Sequence, residues 1–361
     1  MSDGSDAGAG LAPVVAAPRD PALTARVLAS RPLHYAAGAD PDLDRPAHVR
    51  AGSGLAVVPT PAGPRLAVVQ DDAHFVALVD PATGLADAVT LPAGVGGRRQ
   101  FDAGRGNKHH KLDLESCLTV PDPAGGAPVL LAFGSGSTDA RERVAVVRGL
   151  GSGPPEAADV TLADASALYA ALRARPDFAG TELNVEGAAL VPALGGDVVR
   201  LFARGNGAGG AGSATCDLAL APLLAYLLGT APAPAPAPAA VVRYHLGTLG
   251  GERLGFTDAM PYGGGVLYLA AAESSADVVE DGPVAGSAVG LIAGDGSARW
   301  APIEGADGAP FALKAEGVGP AGPGRLWVVL DVDDPDAPSL LCEVALEGAW
   351  DGPRDGAGAA G

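Results

Sequence analysis

Apolar runs recur along the chain in a fixed order from residue 53 onward, which predicts a repeated unit of β-strands. Each unit opens with a short acidic or small-residue segment, here called an elbow, that leads into an apolar strand. A Gly/Pro turn, a second apolar strand, a small or polar cluster and a third strand follow. The elbows are residues 53–55, 115–117, 186–188, 257–259 and 316–318.

The later strands of each unit are predicted from their apolar runs. The second strands are 66–69, 129–133, 198–203, 266–271 and 326–330, and the third strands are 75–79, 143–147, 214–220, 288–292 and 340–346. Outer fourth strands are predicted at 86–91, 241–246 and 298–303. The fifth unit lacks one. We expect an N-terminal strand at 23–33 to complete it, because this removes the open edge of the last sheet.

This pattern predicts an all-β fold, a β-propeller of five blades closed by the N-terminal strand, with six blades as the alternative. Two insertions have the apolar spacing of short helices, at 162–175 and 223–228. We expect one domain over residues 21–350. The Gly, Ala and Asp content of the flanking segments, 1–20 and 351–361, predicts disordered tails.

Composition limits both the residues that can form the core and the partners that the protein can bind. Aromatic residues are 4% of the 361 residues, so the core must be built mainly from Val, Leu and Ala. The net charge of −18 argues against nucleic acid and anionic membranes as partners, because both need a basic surface.

Three widely spaced cysteines predict buried thiols. With no signal-like N-terminus and no apolar run of about 18 residues, we expect a cytoplasmic monomer.

The elbows are the first candidate site, because the innermost strand of each blade starts near the axis of a propeller. Their side chains would form one ring: Glu115, Glu186, Asp258 and Glu316, with Ser53 in the first blade. Carboxylates brought together without compensation repel one another and take up protons. A bound Ca²⁺ would neutralise them. The alternative is that these carboxylates form ion pairs with Lys108, Lys111 and Lys314. The third possibility is that they are solvated at the acidic mouth of the propeller channel.

The segment 106–117 is the second candidate, because it holds two of the three Lys and two of the six His. Beside two Lys and Asp113, His109 is suited to act as a general base or a phosphate contact. A solvated loop histidine is the alternative. No histidine pair or thiolate set supports zinc.

Two strand ends could bind an anion. The sequence Gly-Ser-Gly-Ser-Thr at 134–138 offers hydroxyl and backbone N–H groups, and Arg141 and Arg143 follow it. A turn between strands is the alternative reading, because the ending of a phosphate-binding P-loop is absent. Arg204 and Asn206 stand at an equivalent strand end, and Glu273 would extend the acidic mouth.

The elbow motifs resemble those of an uncharacterised bacterial β-propeller family. The motifs are Asp-Leu-Glu-Ser at 113–116, Asn-Val-Glu-Gly at 184–187, Gly-Phe-Thr-Asp at 255–258 and Lys-Ala-Glu-Gly at 314–317. They are more distantly similar to phytase-like propellers and to the five-bladed calcium-activated nucleotidases. That resemblance implies Ca²⁺ binding at Glu115, Glu186 and Glu316, and more weakly at Ser53 and Asp258. Those enzymes typically act outside the cytosol, whereas no secretion signal is recognised here.

The leading hypothesis is a Ca²⁺-supported hydrolase of a phosphorylated or other anionic small molecule, acting at the channel mouth. The alternative is a non-catalytic binding or scaffold propeller with a structural ion or an ion-paired channel. The third hypothesis is a lactonase-type hydrolase. The cation ligands would be Glu115, Glu186, Asp258 and Glu316. The catalytic candidates are Lys108, His109, Lys111 and Arg143. The substrate-binding candidates are Ser135, Ser137, Arg204, Asn206 and Glu273.

Overall fold

The computed structural model describes residues 12–205, 212–229, 233–274 and 284–351. These residues form 23 strands and three α-helices, so the all-β prediction is confirmed. None of the helices in these ranges has the length and apolar character needed to cross a bilayer. Part of the segment predicted as an N-terminal tail is ordered, because Val14–Ala16 forms a strand.

Most strands belong to antiparallel runs of four, numbered here in chain order. The first strands are β4 (Gly52–Val58), β8 (Leu114–Val120), β12 (Val185–Val191), β17 (Glu252–Tyr262) and β21 (Lys314–Gly322). The second strands are β5 (Arg65–Gln70), β9 (Val129–Gly134), β13 (Val198–Ala203), β18 (Gly265–Glu273) and β22 (Arg325–Asp331). The third strands are β6 (Phe75–Val79), β10 (Arg143–Arg148), β14 (Ser213–Ala219), β19 (Val284–Ile292) and β23 (Leu340–Glu347).

The outer strands complete the sheets. They are β7 (Leu85–Thr90), β11 (Asp159–Asp164), β15 (Ala239–His245), β20 (Ala298–Glu304) and, from the N-terminus, β2 (Thr24–Pro32). Three short strands add to edges: β1 (Val14–Ala16), β3 (His34–Tyr35) and β16 (Thr248–Leu249). As predicted, the N-terminal strand completes the last run, because β2 pairs antiparallel with β23. A short parallel pairing of β2 with β20 joins the last two runs into one nine-stranded sheet.

The first strands form the innermost layer. Each contacts the next in chain order, and β21 contacts β4, so that they close a ring. This arrangement is propeller-like. The core lies between neighbouring sheets and consists mainly of Val, Leu and Ala, as the composition predicts.

The helices occupy the predicted insertions with shifted boundaries. They are α1 (Ser166–Arg173), α2 (Pro176–Ala179) and α3 (Leu220–Leu228). Residues 162–164, predicted as the start of a helix, instead finish β11. Val160, Leu162 and the intervening polar residues alternate with the period of two that suits a strand. Leu168, Tyr169 and Leu172 form the buried face of α1.

A β-bulge interrupts every first strand at the same place. The bulged residues are Ser53, Glu115, Glu186, Thr257 and Glu316. A bulge sets two residues against one on the partner strand and re-aims a side chain. The elbows predicted from sequence are therefore the bulges, with Thr257 and not Asp258 at the equivalent position of the fourth run.

Glycine follows the bulged residue in three of the five first strands, where neighbouring strands approach most closely. A Cβ at Gly317 would lie 2.8 Å from the backbone C of Gly54 and 2.8 Å from the N of Leu55. A Cβ at Gly54 would lie 3.0 Å from the Cα of Ser116. The ring thus closes at a spacing that a larger residue at these positions would disturb.

Replacing Gly317 by alanine is expected to destabilise the fold by about 1–3 kcal/mol, because the added methyl group meets the backbone of the adjacent strand. Urea denaturation of the variant checks this. Gly153→Ala is the control, since a Cβ at Gly153 meets no atom within 4 Å. Equal free energies of unfolding for the two variants would contradict the ring-packing argument.

Candidate functional site

The channel mouth is the end of the ring at which the first strands begin and the second strands end. In four of the five runs, register places the residue two before the bulge opposite the last residue of the second strand or the residue directly after it: Ala51 with Asp71, Asp113 with Ser135, Asn184 with Arg204, and Lys314 with Asp331. Backbone hydrogen bonds tie the first three of these pairs together. Charged side chains from different sheets therefore meet here.

Three carboxylates form an acidic triad in the mouth: Asp71, Asp113 and Glu115. Each offers one oxygen that lies within 4.8 Å of the other two. Asp71 follows β5, and Glu115 is the bulged residue of β8. Asp113 has φ of 55°, a left-handed conformation that Asp tolerates better than most residues. Among the described residues, this is the one group of three acidic, His or Cys side chains close enough to share a metal ion.

Two buried cations offset part of the charge of the acidic triad. Lys111 Nζ lies 2.5 Å from Asp71 Oδ2 and 2.6 Å from Asp113 Oδ1, and Arg141 lies 2.8 Å from Asp113 Oδ2. Burial alone would raise the pKa of Asp113, but Lys111 and Arg141 hold it below its ordinary value. Asp71 Oδ1 is buried and has no hydrogen-bond partner among the described residues.

Glu115 is the least compensated member of the acidic triad. Within the described ranges its side chain makes no hydrogen bond or ion pair. Burial raises the pKa of Glu115 well above its ordinary value, and the charges of Asp113, Asp71 and Glu186 raise it further. The raised pKa favours a proton on Glu115; if Glu115 ionises, the three negative charges of the triad exceed the two positive charges of Lys111 and Arg141.

A second network neutralises the acids of the third to fifth runs. Asn184 Nδ2 donates to Glu186 Oε1 at 2.6 Å, and Arg204 lies 3.4 Å from the same oxygen. Lys314 lies 2.8 Å from Glu316 and 3.7 Å from Glu273, which also pairs with Arg204. These pairs hold Glu186 and Glu316 within their own network. Among the described residues, Glu186 and Glu316 belong to no group of three acidic, His or Cys side chains close enough to share a metal ion.

Asp258 has a different environment from the expected cation ring. It is fully buried and directly follows the bulged residue Thr257. Its Oδ2 accepts a hydrogen bond from the backbone N–H of Val318 at 2.8 Å. Burial raises its pKa well above the ordinary value, and backbone hydrogen bonds from Val318, Ala259 and Leu55 partly oppose that rise. Asp258 thus binds inner-edge amides of the ring, and the structure does not place it among the metal-ligand candidates.

An acidic cleft of about 470 Å³ opens beside the triad. Its lining includes six aspartates, namely Asp71, Asp72, Asp102, Asp331, Asp333 and Asp334. Three basic residues, Arg50, Lys108 and Lys111, also line it. Burial and the neighbouring carboxylates raise the pKa of Asp331 to about 8 and that of Asp72 to about 7. Such shifts mark a cluster of like charges.

A second cleft of about 720 Å³, here called the basic cleft, lies on the other side of Lys108. Lys108 and His109 from the 3-10 turn Lys108–His110 line it, together with Thr138, Asp139 and Arg141. The side chains of Lys108 and His109 make no hydrogen bond or ion pair with the described residues; His109 stacks on His110 with ring centroids 3.9 Å apart.

The remaining predicted residues lie in several environments. Ser135 Oγ donates to Asp113, and Ser137 Oγ accepts from Arg141 at 2.7 Å, so both hydroxyls position charged neighbours. Arg143 lies at the sheet's outer side, 3.4 Å from Asp164. Arg204 and Glu273 pair with each other. Asn206 lies outside the described residues.

Sequence reasoning did not assign a role to Asp71, Asp331 or Arg50. Asp71 directly follows β5 and Asp331 ends β22, at positions equivalent to Ser135 and Arg204. Aligning the units on these strand ends as well as on the elbows would have identified both residues. Arg50 pairs with Asp72 and lies 3.4 Å from Asp102. Asp102 is far from Arg50 in sequence, so only the folded structure shows this contact.

Comparison with known proteins assigns the chain to a family. Residues 48–346 match the family of unknown function DUF6929. The chain belongs to this family. A search of curated proteins found no match. The family membership agrees with the expectation of an uncharacterised family, and it brings no reaction with it.

Solved structures show weak similarity to this DUF6929 member. The PQQ-bound aldose sugar dehydrogenase of Streptomyces coelicolor matches with a TM-score of 0.45 and 16% identity, over 92% of this chain and all of that chain. A glycosyl hydrolase of Bacteroides ovatus matches with a TM-score of 0.41 and 9% identity, over 82% and 85%. At these values the chemistry of those enzymes does not transfer.

The buried network predicts a pH dependence of stability. Burial raises the pKa of Glu316 to about 8, so the folded state binds this proton more tightly than the unfolded state. Stability therefore falls as pH rises from about 5 to 8, by up to about 1.4 kcal/mol per pH unit for this group. Urea denaturation between pH 6 and 9 should show a shallower slope for Glu316→Gln. The exposed Glu156→Gln serves as control, and equal slopes for both would refute the assignment.

Proposed function

We propose that the chain is a five-bladed propeller that binds a divalent cation, Ca²⁺ first, at its channel mouth and there hydrolyses an anionic small molecule. Five first strands, each beginning an antiparallel run and together closing a ring, support the blade count. In this description the nine-stranded sheet is two blades joined by the β2–β20 pairing.

The acidic triad is the observation that carries the proposal. Oxygen ligands of Ca²⁺ lie about 2.3–2.6 Å from the ion, so a spacing of up to 4.8 Å allows three carboxylates to share one cation. Lys111 and Arg141 pair with Asp71 Oδ2 and with both oxygens of Asp113, which leaves Asp71 Oδ1 and the Glu115 carboxylate as the oxygens for a cation. The residues fit a cation held by few protein oxygens, with coordination positions left for a substrate.

The surrounding residues have distinct tasks in this proposal. When bound, a divalent cation polarises a phosphoryl or acyl oxygen and makes a coordinated water more acidic. Lys111 and Ser135 fix the orientation of Asp71 and Asp113 and are positioning residues. Lys108, whose ammonium makes no ion pair with the described residues, contacts the anionic group of the substrate.

A non-catalytic propeller with an ion-paired mouth is the second candidate. The observation that favours it is the pairing of Lys111 and Lys314, each with two carboxylates. The lack of a hydrogen-bonded or ion-paired partner for the Glu115 side chain among the described residues favours the cation-binding proposal. Lactone hydrolysis would use the same mouth, so activity assays must include both ester classes.

Thermal melting in EDTA and then with added Ca²⁺, Mg²⁺ or Zn²⁺ tests the cation. Binding to the folded state alone stabilises by about 2.7 kcal/mol at a hundredfold excess over Kd, which raises the melting temperature of a domain this large by several degrees. Glu115→Gln should abolish this response.

Two further variants make the result specific. Glu186→Gln should keep the response, because Glu186 is held by Asn184 and Arg204, outside the acidic triad; its loss would instead favour the elbow ring as the ligand set. The exposed Glu156→Gln should behave like wild type. The absence of any response to all three cations would overturn the proposal. If the response is found, phosphate-ester and lactone hydrolysis should disappear in EDTA and in Glu115→Gln.

A further inference from the structure

The two clefts that meet at Lys108 differ in charge. The acidic cleft has six aspartates and three basic residues, so an anionic group placed there would meet net repulsion. Among the described residues the basic cleft has Lys108 and His109, and an Arg141 that is paired with Asp113, against one carboxylate, Asp139. An anionic ligand at the channel mouth is therefore expected to bind in the basic cleft and not in the acidic cleft.

Lys108 is the distinctive residue of this boundary. Lys111 and Lys314 are buried, and each has a carboxylate oxygen within 2.8 Å. The ammonium of Lys108 has no such partner among the described residues, although the chain carries 42 acidic residues and 24 Lys and Arg. An oxyanion would give this ammonium a charge-assisted partner.

The walls of the basic cleft supply donors of other kinds. The Thr138 hydroxyl and the imidazole of the exposed His109 line it. Arg141 forms part of the wall, and its guanidinium is held in place by Asp113 at 2.8 Å and Ser137 at 2.7 Å. Asp139 is exposed and is the one carboxylate that the described part of the chain contributes to the lining. The volume of about 720 Å³ is within the range of small-molecule sites.

We propose that the basic cleft binds a phosphate group, so that a phosphorylated substrate reaches from Lys108 towards the acidic triad. This inference rests on the proposed function for the reacting end of the substrate, but the phosphate site is separate from the cation site. The Ser135–Ser137 turn is not the proposed phosphate site, because its hydroxyls already form hydrogen bonds with Asp113 and Arg141.

Titration calorimetry with inorganic phosphate, in EDTA and at constant chloride, tests the phosphate site without any divalent cation. Lys108→Gln should weaken binding at least about tenfold, which is about 1.4 kcal/mol. Asp139→Asn should strengthen binding, because it removes the opposing charge. Arg98→Gln is the matched control: it removes one positive charge from an exposed position outside the cleft and should leave the affinity unchanged.

Each outcome is informative. Failure of wild type to bind phosphate, or equal losses in Lys108→Gln and Arg98→Gln, would overturn the phosphate site. Phosphate binding that persists in Glu115→Gln is expected, since that variant alters only the cation site. A cation response without phosphate binding would refute this inference alone. Phosphate binding without a cation response would refute the proposed function alone.

Discussion

The close approach of the innermost strands governs the rest of the molecule. Gly54, Gly187 and Gly317 stand where one first strand passes the next, and a side chain at these positions would meet backbone atoms. The residue before each of these glycines is a bulged Ser or Glu. Tight closure and convergence of polar side chains at one end of the channel are therefore two results of the same local geometry.

Convergence creates an electrostatic problem that the chain solves only in part. Removing a carboxylate from water costs several kcal/mol unless a partner offsets it. Arg204 and Lys314 serve this purpose for the third to fifth runs, and Lys111 and Arg141 do so for Asp113. Near Glu115 the compensation is incomplete, and this imbalance distinguishes a candidate binding site from a buried ion-pair network.

Some features followed from local sequence and others did not. Apolar runs predicted β6 and β13 with the bounds that the structure has, because buried strands need continuous apolar residues. The elbows were found because a short acidic or small-residue segment precedes the apolar strand that opens each repeated unit. The elbow alignment placed Thr257 at the position of the bulge, but Asp258 was preferred as the candidate ligand because it is the acidic residue of that elbow. Asp71 follows β5 of one sheet and Arg141 lies in the turn between β9 and β10 of another, and sequence pattern does not report that folding brings both to Asp113.

The N-terminal segment has a consequence for how the chain folds. Its strands β1, β2 and β3 lie in parallel against the outer strands of three sheets, and Thr24 in β2 pairs with Glu347 in β23. During synthesis β2 must therefore wait for more than 300 further residues, up to β23, before it finds its partner. Such non-local pairing makes ring closure a slow, late event. Until then, the edges of β20 and β23 stay available for contacts with other chains.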